Sequence, residues 1–120
     1  MKALLLILAL YSTTSISQTL DSVKAYINQT DLQHKEIVLS QSIEETGWYN
    51  CTNCSLDRNN LFGWYYKKKY LEFDTWQESI DYYVRWQKRH YKGGDYYRFL
   101  TRVGFATNPN YIRNLKAIKE

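Results

Sequence analysis

Gln41-Ser42-Ile43-Glu44-Glu45-Thr46-Gly47-Trp48 sets two adjacent carboxylates just ahead of a glycine and an indole. If Gly47 ends a helix, both carboxylates occupy its last turn, where unpaired carbonyl groups make the end partially negative. A negative helix end and a neighbouring indole each disfavour ionisation, so a carboxyl there has a raised pKa. A carboxyl that keeps its proton near neutral pH is a general acid, the group that a glycosidic oxygen needs before its bond breaks. The competing reading is a solvated glutamate pair with no chemical role. Periodicity prefers Glu45 only weakly. Glu45 follows Val38, Gln41 and Ser42, whereas Glu44 follows Ile37, Ser40 and Gln41, about 100° around the helix.

Other chemistries find less support. Cys51-Thr52-Asn53-Cys54 holds both cysteines of the chain. A redox pair of this spacing belongs at a strand-to-helix turn, but here it lies in the polar stretch YNCTNCSLDRNN. Zinc needs two more ligands, and His34 and His90 stand at no recognisable spacing. A small structural disulfide pinning the loop is the expectation, and no metal or cofactor is expected. Neither histidine has a serine or cysteine partner in a strand-turn-helix context, and no glycine-rich phosphate loop is present.

The elements that must position these residues follow from hydrophobic spacing. Leu20, Val23 and Ile27 recur at helical intervals behind Thr19 or Asp21. Asp31 is placed to cap a second helix, with Leu32, Ile37, Val38, Leu39 and Ile43 as its inward stripe. Gly47 ends that helix in a left-handed cap, and Trp48 is expected to pack back over the last turn. Trp64-Tyr65-Tyr66 and Tyr70-Leu71-Glu72-Phe73, separated by three lysines, predict a small hairpin with poor turn residues. Asp74-Thr75-Trp76-Gln77 opens the longest helix, whose face carries Trp76, Ile80, Tyr83, Val84, Gln87 and Tyr91. Asp95 caps a short helix ending at Gly104. Asn108-Pro109 starts the last helix, with Ile112, Leu115 and Ile118 inward. The fold class is α+β, mainly α, with one short β-hairpin.

Composition sets the wider limits. The 120 residues are 44% hydrophobic and 23% charged, a balance that excludes a disordered tail or a fibrous rod. The aromatic share is 17%, with 12 tyrosines and 4 tryptophans, more rings than a core of this size needs. The surplus suits a groove that offers flat amphipathic faces to a ligand. Lys2, the apolar run Ala3 to Tyr11 and the small residues of Ser15-Ile16-Ser17 predict an export signal over residues 1–17, leaving 18–120 as the working domain. The run is too short to span a bilayer, which takes about 20 apolar residues. The chain is therefore expected to be exported, periplasmic or secreted, without stable membrane insertion. The formal charge of +4 then points to an anionic cell-wall polymer rather than nucleic acid.

Four segments share one resemblance. Val38 to Trp48 resembles the AQ-x-x-LE-x-GW helix end of the bacterial glucosaminidase-domain family, the endo-β-N-acetylglucosaminidases of glycoside hydrolase family 73. Asn60-Leu61-Phe62-Gly63 is similar to its NLFG turn. Tyr70-Leu71-Glu72-Phe73 with Ser79-Ile80-Asp81-Tyr82, and then Phe105 to Tyr111, resemble its Y-x-x-F…ESI-x-DY and YAT-D/N-P-x-Y segments. The four occur in order, at compatible spacing, from about Ile37 to Ile118.

The resemblance implies a lysozyme-like fold that cuts the β-1,4 bond between N-acetylglucosamine and N-acetylmuramic acid in peptidoglycan. It aligns Glu45 with the family's general acid and leaves Glu44 at a usually apolar position. Tyr111 matches a tyrosine that faces the reacting sugar, although it could equally be one more packed ring. Asn60, Leu61, Phe62 and Gly63 would shape the cleft floor, or merely form a tight turn. Trp48, Trp64, Tyr65 and Tyr66 are candidate sugar-stacking faces. The chain departs from the family where a longer β-lobe with a second acidic residue is often found. Here Glu72, Asp74 and Asp57 are the nearby acidic candidates, and Asp74 is expected to be committed to a helix cap. Glu72 is counted among the residues that meet substrate. A one-carboxylate route follows, in which the substrate's own acetamido group assists Glu45. A non-catalytic peptidoglycan-binding module, and a lytic transglycosylase or muramidase on the same scaffold, are the alternatives.

Overall fold

The computed structural model describes residues 16–120, so the expected export signal over residues 1–17 lies almost wholly outside the described residues. Helix α1, Leu20–Asn28, is opened by a reciprocal cap. The Ser22 N–H donates to Thr19 Oγ1 at 3.2 Å, and the Thr19 N–H donates to Ser22 Oγ at 2.9 Å.

Helix α2 runs over Lys35–Thr46 and starts later than the sequence suggests. Asp31 does not cap it. That side chain is exposed and meets Lys88 at 3.4 Å, while Leu32 is buried in the segment before the helix. The reason is tertiary. The Gln87 side chain accepts the Gln33 N–H at 2.8 Å and donates to the Gln33 carbonyl at 2.9 Å, holding this segment in a non-helical path. The chain then turns through His34 at φ 56° and enters the helix.

Burial along α2 is continuous from Val38 to Ile43, not confined to a stripe. The helix packs against α1, the last helix of the chain and a 3₁₀ turn at Ser55–Arg58, so little of its middle meets water. Two of its buried hydroxyls are satisfied locally: Ser42 Oγ donates to the Leu39 carbonyl and Thr46 Oγ1 to the Ser42 carbonyl, each at 2.7 Å. Gly47 closes the helix at φ 54°, and the Trp48 N–H donates to the Ile43 carbonyl at 3.1 Å. The Trp48 ring does not seal the end; it is 51% exposed. Beyond it, Cys51 and Cys54 are joined by a disulfide in the loop leading to the 3₁₀ turn.

The hairpin pairs β1, Tyr65–Tyr66, with β2, Lys69–Tyr70, in antiparallel register, Tyr65 opposite Tyr70. Lys67 and Lys68 both take positive φ, the backbone shape of the tight turns that match strand twist. Asn60 fastens this unit to the body. Its Oδ1 accepts the Trp64 N–H at 2.9 Å, and its Nδ2 donates to the Trp64 and Leu71 carbonyls at 2.8 and 3.0 Å.

Helix α3, Trp76–His90, is capped by Thr75 rather than Asp74, its hydroxyl accepting the Glu78 N–H at 3.3 Å. The expected face is buried at Trp76, Ile80, Tyr83 and Gln87, with Ser79 added and Val84 only half-buried. Helix α4, Tyr96–Arg102, carries the expected Asp95 cap and stops two residues short of Gly104. Helix α5, Tyr111–Ala117, begins after Pro109, not at it. Asn108 Oδ1 accepts the Asn110 N–H at 2.9 Å, which spends Asn108 and Pro109 on a turn ahead of the helix. Five helices and one two-stranded hairpin among the described residues make the fold α+β, mainly α.

Replacing Asn60 by Ala should cost about 2–4 kcal/mol in urea unfolding, because buried backbone partners lose their bonds together. A loss below about 0.5 kcal/mol, the range of ordinary surface substitutions, would show that the hairpin does not depend on this clamp.

Candidate active site

A cleft of about 710 Å³ opens between the end of α2, the hairpin and the segment from Val103 to Tyr111. Glu45 lies at its floor. The residue is half-buried, and its carboxyl rests against Gly63 so closely that a Cβ on that glycine would overlap it. Gly63 itself has φ 67°, a left-handed conformation that side chains also disfavour. Burial raises the Glu45 pKa above the ordinary glutamate value, and the neighbouring charge of Glu44 raises it further. Glu44 lines the same cleft, and Asn114 Nδ2 donates to its Oε1 at 3.2 Å.

Tyr111 enters from the first turn of α5, buried but cleft-lining. Its hydroxyl accepts from Gln41 Nε2 at 3.0 Å, and burial pushes its pKa well up, so it stays a neutral phenol. Phe105 stacks on its ring with centroids 6.1 Å apart. A second hollow of about 380 Å³, holding Tyr26, Asp81 and Arg85, contains none of the candidate catalytic or sugar-binding residues.

The other designated residues divide sharply. Gly63, Phe62, Trp64 and Tyr65 line the cleft beside Glu45 and Tyr111. Phe62 and Leu61 are core residues by burial, and Asn60 has its side chain committed to the hairpin clamp. Trp64 is 9% exposed, donates from Nε1 to the Ser79 carbonyl at 3.2 Å and packs edge-on against Tyr82, so it is a wall rather than a free stacking face. Strand alternation separates Tyr65 from Tyr66. Tyr65 faces the cleft, while Tyr66 lies outside it beneath the Lys67 ammonium. Trp48 and Glu72 are exposed and outside the cleft lining, as are Asp57 and Asp74.

The model of the glucosaminidase family, described as mannosyl-glycoprotein endo-beta-N-acetylglucosaminidase, matches residues 20–120. The chain belongs to the glucosaminidase family. Neither the curated proteins nor the solved structures give a match to it. The glucosaminidase assignment supports a peptidoglycan-related glycosidase activity in general terms, and hence a glycan as the bound partner. No helix among the described residues is long and apolar enough to cross a membrane.

Sequence reasoning overlooked part of this glucosaminidase cleft. Tyr70, Tyr82, Trp86 and Phe105 line it, and three of them sit inside the very segments that carry the family resemblance. Glu44 stands where the resemblance expects an apolar residue, yet it shares the cleft and adds charge beside the acid.

The raised pKa of Glu45 has a consequence for stability. The folded chain holds this proton more tightly than the unfolded chain, so the stabilisation is complete below the unfolded value and is lost as pH rises through the folded value. Glu45→Gln, neutral throughout, should match the parent near pH ~4 and exceed its Tm by roughly 2–4 °C near neutrality. A thermal scan series across pH measures the gap; a gap that does not widen with pH contradicts the burial argument.

Proposed function

We propose that the protein is an exported peptidoglycan hydrolase that cleaves the β-1,4 bond between N-acetylglucosamine and N-acetylmuramic acid. In this reading residues 1–17 are a cleaved export signal and 18–120 form the catalytic domain. The observation that carries it is the Glu45 carboxyl, desolvated against Gly63 on the floor of an aromatic-walled cleft. A carboxyl so placed keeps its proton at higher pH and can deliver it to the bridging oxygen as the bond to C1 breaks.

A second carboxylate is the weak point of a two-acid scheme here. Glu72, Asp57 and Asp74 are exposed and outside the cleft lining. Glu44 adjoins Glu45 in sequence and is tethered to Asn114. The substrate's 2-acetamido group therefore supplies the stabilisation at C1, its carbonyl oxygen closing on the carbon as the leaving sugar takes the Glu45 proton. Water then opens this intermediate and returns a proton to Glu45. Tyr111 holds the acetamido group or the attacking water. Tyr65 and Tyr70, 61% and 41% exposed and edge-on at 5.4 Å, offer faces to neighbouring sugars.

Digestion of purified peptidoglycan followed by mass spectrometry tests this reading. Products should carry reducing N-acetylglucosamine ends. Glu45→Gln should lower the rate about 10²–10⁴-fold with the fold intact, the usual effect of losing a general acid. Glu44→Gln should stay within about threefold and move the alkaline limb of the pH profile to lower pH. Anhydro-muramic ends would instead mark a transglycosylase, and binding to sacculi without new ends a non-catalytic module.

A further inference from the structure

A row of buried polar side chains leads from the far side of the core to the cleft, and its polarity can be read from one end. Gln87 is fixed by a backbone pair. The Gln33 N–H can only donate and the Gln33 carbonyl can only accept, so the Gln87 amide has its oxygen on the former at 2.8 Å and its nitrogen on the latter at 2.9 Å. The second N–H of that nitrogen donates to the Tyr96 hydroxyl at 2.9 Å.

Each following step has one orientation that leaves no buried hydroxyl proton without an acceptor. Tyr96 accepts from Gln87, so its own proton goes to Tyr83, 2.7 Å away. Tyr83 accepts from Tyr96, so its proton goes to Gln41 Oε1. With its oxygen engaged there, Gln41 turns its NH₂ group to Tyr111. Tyr111 therefore accepts from within the core, and its own proton meets no acceptor among the described residues. Tyr83, Gln41 and Gln87 are at most 3% exposed, so water does not interrupt the row.

We propose that this row fixes Tyr111 as a hydrogen-bond donor to the cleft, where it selects a sugar bearing an amide carbonyl over one bearing an ammonium group. The proposal rests on the glycan reading of the cleft. It narrows the role of Tyr111 to the acetamido oxygen, because the hydroxyl presents its proton to the cleft while Gln41 occupies an oxygen lone pair on the inner side, which favours a carbonyl acceptor over an ammonium group. Gln41, Tyr83, Tyr96 and Gln87 are then positioning residues that act through Tyr111.

Gln87→Glu tests the direction of the row. A carboxyl there has no second N–H to give: a single proton spent on the Gln33 carbonyl leaves only a lone pair facing Tyr96. The row then reverses and the Tyr111 proton turns inward to Gln41. Affinities for N-acetylglucosamine tetramer and its fully N-deacetylated counterpart are measured by calorimetry. The wild-type preference for the acetylated oligomer should fall about tenfold in Gln87→Glu, the scale of one hydrogen bond to a charged or polar partner. In a Tyr111→Phe background, Gln87→Glu should leave the preference unmoved. A preference that does not fall, that falls equally without the Tyr111 hydroxyl, or that is absent because neither oligomer binds, overturns the proposal. If Gln87→Glu does not fold, a neutron map of the deuterated wild-type protein decides: a deuteron on Tyr111 directed away from Gln41 supports the proposal, and one directed at Gln41 overturns it. Peptidoglycan digestion by the same preparations separates the two failures, since a chain that releases no sugar ends can still show the predicted preference.

Discussion

The space left by the missing Cβ of Gly63 is the constraint on which the site depends, because the Glu45 carboxyl fills it. A carboxyl pressed onto a backbone loses water on that side, and this loss is the main reason its proton is held more tightly. The contact requires two elements, distant in sequence, to be placed accurately. Gly47 must stop α2 so that Glu45 projects from its final turn, and Asn60 must hold the turn that carries Gly63. The clamp formed by Asn60 also sets the base of the hairpin and the Trp64 wall. Floor and wall of the cleft are thus built on one buried amide.

Helix α2 joins the core to the cleft through a single run of residues. Its buried stretch mixes Val38, Leu39 and Ile43 with Ser40, Gln41 and Ser42, a pattern that would be costly without partners. Two hydroxyls bond back to the helix's own carbonyls, and Gln41 bonds to tyrosines on α3 and α5. Polar burial here links three helices at defined distances, which apolar packing alone would leave freer to slide. The carboxylate pair at the helix end consequently stands on a rigid support.

How much of this could be read from the chain depended on whether the cause was local. The Gly47 stop and the Asp95 cap are each encoded within a few residues and stand as expected, Thr19 rather than Asp21 caps α1, and the hairpin forms with its second strand at Lys69–Tyr70, ahead of the expected Tyr70–Phe73 run. The start of α2 was misplaced because the group that holds Gln33 belongs to Gln87, 54 positions away. The start of α5 was misplaced because Asn108 bonds to Asn110, a turn that competes with helix initiation at Pro109. Asn60 and Phe62 were recognised by their motif and Trp64 as an aromatic face, yet spacing could not distinguish a residue that meets sugar from one that holds the wall. Trp48 misled for the opposite reason: an indole after a helix stop suggests packing, but the two positive-φ residues Trp48 and Tyr49 swing it outward.

The account turns on the proton of Glu45, and its titration in the folded protein is the most direct measurement. Carbon-detected NMR of the side-chain carboxyl, assigned by comparison with Glu45→Gln, gives its midpoint beside that of Glu44. Burial beside Gly63 predicts that Glu45 titrates above the ordinary glutamate value of about 4.3. A midpoint at or below that value would show a carboxyl open to solvent and would contradict the role assigned to it.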